Sequence, residues 1–198
     1  MFNNTKFLIV SLIFLSSINL LSFCKSNNKE KCLDFKEIVE FESYKKSLIS
    51  DFKIDKDANK FILFNNPIAS SFIVKLDKSN KELWKKSFAF ESHNLFLDNK
   101  GNLIIIADYS GELDLNKDTK LNSSTKALLV LKINSKTGKL IKHFSIKTNY
   151  GINPNVSNID ESNNIYISGI YGGKSKYFEK IAYENSFILI LDNELNYK

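Results

Sequence analysis

The chain has 198 residues, of which 28 are basic and 22 acidic, giving a formal charge of +6 on a sequence that is 43% hydrophobic. Every basic residue is a lysine, and the lysines are scattered among acids, as at Lys25, Glu30, Lys31, Asp34 and Lys36. This speaks against the clustered Arg/Lys face with stacking aromatics of a nucleic-acid site. The two cysteines and two histidines lack metal-ligand spacing, which argues against a zinc centre.

In chain order, the first 24 residues have the layout of an export signal. Lys6 lies in a short start, and the run from Phe7 to Phe23 is apolar apart from Ser11, Ser16, Ser17, Asn19 and Ser22. The run is short for a bilayer span, which takes about 20 residues. Leu21-Ser22-Phe23-Cys24 resembles the lipobox of bacterial lipoproteins, with Phe23 where a small residue is usual. The resemblance implies acylation of Cys24, palmitate included, and attachment by lipid to the outer membrane or cell surface, or on the periplasmic face. The other readings are a conventional signal peptide with an incidental cysteine, or an uncleaved anchor. Cys32 pairs with Cys24 only if the latter carries no lipid.

Residues 25–48 read as a polar tether and then a short helix or irregular segment, in which Phe35, Ile38 and Val39 share a helical face. Over residues 49–198 a pattern returns three times. A turn leads into a short apolar strand, a variable loop follows, and a second apolar strand ends in an acid or amide. The first strands are Phe61-Ile62-Leu63-Phe64, Leu103-Ile104-Ile105-Ile106 and Ile165-Tyr166-Ile167-Ser168. Their partners run from Phe72 to Asp77, from Leu128 to Asn134 and from Phe187 to Asp192. Gly101 supplies the left-handed residue of the turn after Asp98, Asn163 replaces it in the third unit, and Asn59 takes its place in the first. Leu76 to Trp84 aligns without a gap to Ile133 to Ile141, so a hairpin completes four strands per unit.

These strings resemble the β-propeller repeat family of bacterial exported and surface proteins. The resemblance rests on Asp98 through Leu103, Ile165 through Gly169, Phe72 through Asp77, and Trp84. It implies an all-β fold, a partial β-propeller of about three four-stranded blades at 49–92, 93–149 and 150–198, the last incomplete. With the lipobox, the whole chain resembles a propeller lipoprotein of a low-GC organism such as a spirochaete. A ring takes four or more blades, and three explanations of the shortfall stay open. They are a truncated product, a curved stack capped by residues 32–48, and a second chain that completes the ring.

No catalytic constellation is evident, and no cofactor or metal is expected. Asp108, Glu112, Asp114 and Asp118 share one loop without the spacing of a calcium site. His93 and His143 read as a loop residue and a strand residue. The leading expectation is a non-enzymatic module that binds a protein or glycan, with Tyr109, Tyr150 and Tyr171 as candidate recognition residues and Tyr166 packing between blades. The alternatives are a structural or assembly scaffold component, a non-functional fragment, and a propeller hydrolase with acids around its channel.

Overall fold

The computed structural model describes residues 44, 46–66, 70–177 and 185–198, all within the compact unit 43–198. The apolar runs form three antiparallel sheets. The first holds β1 (Leu48–Ile54), β2 (Lys60–Asn66), β3 (Ser70–Leu76) and β4 (Glu82–Phe88); the second holds β5 (Glu91–Leu97), β6 (Leu103–Asn116), β7 (Thr119–Ile133) and β8 (Leu140–Ile146). The third has β9 (Gly151–Ile159), β10 (Ile165–Gly172) and β11 (Asn185–Leu191). Each is a meander with neighbours in sequence order.

Side-chain alternation distributes the strands between two cores. On the second sheet, Leu103, Ile105, Leu129, Leu131 and Ile133 pack with Phe61, Leu63 and Ile73 of the first. The intervening residues Ile104, Ile106, Leu128 and Val130 pack with Ile152, Ile165, Ile167 and Leu189 of the third. The second sheet is therefore covered on both faces, which is why β6 and β7 read as nearly unbroken apolar runs.

One turn design recurs at one end of the sheets. Asp55, Asp98, Asp160 and Asp192 each accept a hydrogen bond from the backbone N–H four residues on, and their other carboxylate oxygen accepts one from that residue's Asn side chain. The residue before that Asn is left-handed in each turn: Ala58, Gly101, Asn163 and Leu195. The expectation for the first turn is corrected here. Asn59 clasps Asp55, and the positive φ falls on Ala58.

Lysines couple successive sheets. Lys75 Nζ on β3 donates to the Ser135 carbonyl of the β7–β8 turn at 3.2 Å. Lys132, one repeat later on β7, lies 3.2 Å from Asp98 Oδ2 and donates to Asn193 O and Oδ1 at 2.7 and 2.9 Å. The same place on β11 is taken by Ile190, which pairs across the strands with Tyr166 as Lys132 does with Ile104.

The partial propeller expected from the repeat is not what forms. The described sheets are open, with four, four and three strands, and no ring closes. Closure needs the last sheet to cover the first. Instead the outward residues Phe64, Phe72 and Val74 of the first sheet are already buried, while Ile188 on the outward face of the third stands exposed. The second chain that would complete a ring falls with the ring itself. Residues 25–43, the tether and most of the expected helix, lie outside the described residues.

Candidate functional site

The β6–β7 hairpin runs well past the other strands and sends Leu113 back onto the first core, with Leu115 and Leu121 against it. Tyr109 sits at its root, buried, its hydroxyl 3.2 Å from Ser145 Oγ, and burial raises its pKa. Beside it the buried Asp108 carboxylate holds two partners on flanking strands, His93 Nε2 at 2.5 Å and Lys126 Nζ at 2.9 Å. The histidine expected in a loop thus lies on β5. The other acids of the hairpin diverge from Asp108: Asp114 faces Lys120 at 3.6 Å. Among the described residues no group of three or more His, Cys, Asp or Glu side chains is placed to hold a metal ion.

Tyr171 is buried in the second core, edge-on to Phe187, and its hydroxyl accepts from Asn185 Nδ2 at 3.3 Å. Tyr150 is exposed at the start of β9, where its N–H donates to the Gly172 carbonyl. Tyr109 and Tyr171 therefore belong to different cores, and Tyr150 is the one of the three that shows its ring to solvent. A hollow of about 460 Å³ along β8 is lined by His143, Ser145, Lys147 and Lys176 beside Phe144 and Tyr177. Burial lowers the His143 pKa, and the described lining has no carboxylate to pair with it.

An open stack of such units is expected to expose apolar faces at its ends, and the structure assigns one of them to the outward side of the third sheet. Cross-strand pairing sets its three rows as Asn158–Tyr166–Ile190, Val156–Ser168–Ile188 and Asn153–Ile170–Ser186. None of these nine residues is charged, in a chain one-quarter of whose residues are. Ile188 is 74% exposed, Val156 65%, and Tyr166 and Ile170 37% each. The Tyr166 hydroxyl donates to Asp160 Oδ2 at 3.1 Å, which lays the ring towards the turn. Gly169 lets β9 approach, since a Cβ there would meet the Asn153 carbonyl oxygen at 2.1 Å. The signal was present in the alternation of β10 and β11, but sequence alone does not say which face of a two-sided apolar strand stays uncovered.

No family model matches the chain, and no curated protein matches it. The propeller-family, lipoprotein and palmitate expectations accordingly find no support, and Cys24 lies outside the described residues. Among the described residues no helix is long and apolar enough to cross a membrane. One similar solved structure is a protein of unknown function from Bacteroides caccae, at 10% identity and a TM-score of 0.30. The match covers 77% of this chain and 66% of that protein's length. A likeness this distant carries no argument about fold or activity.

Proposed function

We propose that the chain is a structural or assembly module without catalysis, working through β-sheet surface. The observation that carries this is the solvent-facing outward side of the third sheet, where Ile188 is 74% and Val156 65% exposed, with Lys198 beside Ile190 at its rim. Contiguous exposed apolar surface on a soluble fold marks a contact site. The rigid turns and buried lysine straps suit a spacer that holds such a face in fixed orientation. The hollow along β8 and the Asp108 cluster lend no support to a reaction, because neither joins a nucleophile to a base.

Placement at the outer membrane or cell surface is proposed on the apolar N-terminal run alone. It is tested by labelling of surface lysines with a non-permeant reagent in whole cells. The assembly reading is tested by placing a photo-cross-linking residue at Ile188 in the cells that make the protein. A discrete higher-mass adduct is expected there and absent with the probe at exposed Lys136. No adduct from Ile188 overturns the reading.

A further inference from the structure

We infer that the hollow along β8 is a binding site for a phosphate monoester, the phosphate held by His143, Ser145, Lys147 and Lys176 and the ester body lying against Tyr177 and Phe144. None of its lining residues belongs to the outward face of the third sheet, so the site is independent of the assembly reading.

The hollow measures about 460 Å³, within the range of small-molecule pockets. Three elements wall it: β8 with its exit at Lys147, the Lys176–Tyr177 segment after β10, and the long β6–β7 hairpin through Leu121. A second hollow, about 430 Å³ beside β4, differs in chemistry. Its Lys86 already donates to the Gly138 carbonyl, and Asp114 shares its wall.

The charged and hydroxyl groups along β8 are donors, and the described lining has no carboxylate. Other lysines of the chain sit beside acids, as Lys53 with Asp51, Lys120 with Asp114, Lys126 with Asp108 and Lys132 with Asp98. Lys147 and Lys176 have no acidic partner among the described residues. Two ammonium groups call for a dianion, and a phosphate monoester carries close to two negative charges at neutral pH.

The donors are held in place by their neighbours. A buried hydroxyl has to find a hydrogen-bond partner, and the Tyr109 hydroxyl has Ser145 Oγ at 3.2 Å. Burial raises the Tyr109 pKa and keeps that phenol protonated. Ser145 Oγ therefore accepts from Tyr109, which leaves its own O–H for a ligand. Lys176 Nζ lies 4.7 Å from the centre of the Tyr177 ring, a contact that keeps the ammonium at the wall. Tyr177 is braced in turn by Phe144, with ring centres 5.4 Å apart. An aromatic surface beside two cations fits an ester with an apolar body better than a bare anion.

His143 completes the set. Burial lowers its pKa, and no carboxylate on the hollow offsets that desolvation. The other titratable groups there are Lys147 beyond the end of β8 and Lys176 and Tyr177 across from it, while the hairpin brings Leu121. A bound phosphate supplies the missing negative charge and favours the imidazolium.

The test is a titration of the full chain, in a mild detergent at pH 7, with phenyl phosphate, followed through the ring-proton resonances of its two histidines. A shift of His143 that saturates at or below about 1 mM is expected, with His93, paired to Asp108, staying in place. Lys147→Ala and Lys176→Ala should each weaken binding by about three- to fivefold, and Lys136→Ala should leave it unchanged. All three lysines are exposed, and circular dichroism verifies that the variants fold. Dihexanoyl phosphatidate in place of phenyl phosphate separates two sources of the phosphate. Tighter binding of the lipid gives a headgroup site and tighter binding of phenyl phosphate a soluble ester, and either result supports the hollow. No saturating shift of His143 overturns the inference, as does the same shift from phenol alone, an affinity untouched by both Lys147→Ala and Lys176→Ala, or an equal loss with Lys136→Ala.

Discussion

Lys132→Met isolates the strap between the second and third sheets. The Lys132 and Asp98 side chains are 3% and 0% exposed, so the pair is fully desolvated. Methionine keeps most of the apolar stem but deletes the ammonium. Asp98 then loses its cation, and Asn193 loses the donor to both its oxygens. Removing one member of a buried, hydrogen-bonded pair costs about 3–5 kcal/mol. For a domain of this size 1 kcal/mol moves Tm by roughly 2–4 °C, so a fall of about 10 °C is expected at neutral pH by far-ultraviolet circular dichroism. Trp84, the single tryptophan, donates from Nε1 to the Ser135 carbonyl and packs on Gly138, both across the first interface. Its fluorescence therefore separates global unfolding from release of the third sheet alone.

The pH dependence gives a second check. Burial pushes the Asp98 pKa up, but hydrogen bonds from the Asn102 side chain and backbone and the contact with Lys132 outweigh it, and the pKa ends below the usual carboxylate value. A depressed pKa contributes stability that is present above the unfolded value, about 3.9, and lost as pH falls through the folded one. The variant's deficit should therefore be full above about pH 5 and shrink in stronger acid. A fall in Tm of less than about 3 °C at pH 7, equivalent to about 1 kcal/mol, would refute the strap, and a deficit unchanged by pH would refute the role of Asp98.

Gly169→Ala should destabilise by at least about 3 kcal/mol, because the new Cβ meets the Asn153 carbonyl oxygen at 2.1 Å and the Phe187 ring at 3.0 Å; an unchanged urea midpoint would contradict the packing of β9 on β10. Ala58→Gly relieves a left-handed alanine (φ 60°) and should stabilise by about 0.5–1 kcal/mol once glycine's greater chain entropy is counted. The reverse change, Gly101→Ala, meets no atom within 4 Å and should cost about 1 kcal/mol through the backbone alone; thermal melts read both, and opposite signs are required. Asp55, Asp160 and Asp192 are also held below the usual carboxylate range: Asp55 against its own burial by the Asn59 clasp, Asp160 by the Asn164 side chain, and Asp192 by the Asn196 backbone N–H. Tm should thus stay level from neutral pH to about 5 and decline below about 4. A decline that begins above pH 6 would place the sensitivity on a histidine instead.

Much of the strand pattern was legible in the sequence because its causes are local. The turn after Asp98 can be read from an acid, a left-handed glycine and a clasping asparagine. The first unit shows the limit of such reading: Asn59 looked like the left-handed residue because asparagine tolerates that conformation, yet its side chain is committed to Asp55, and alanine takes the strain. The candidate tyrosines show the same limit from another side. An aromatic next to a loop reads as a recognition residue until packing is known, and Tyr109 and Tyr171 are core residues. His93 could not be joined to Asp108 from sequence, because the contact depends on the β5–β6 register shift between Ser92 and Asn94.

Taken alone, the sequence determined an all-β chain of repeating antiparallel strands with lysine-rich surroundings, because side-chain alternation and turn chemistry act over a few residues. Only the tertiary structure decided that the sheets stay open instead of closing, and which apolar face is left to water. Those outcomes depend on how whole sheets cover one another. Phe64 and Ile188 are both outward-facing apolar residues in similar repeats, yet the first is buried and the second is bare.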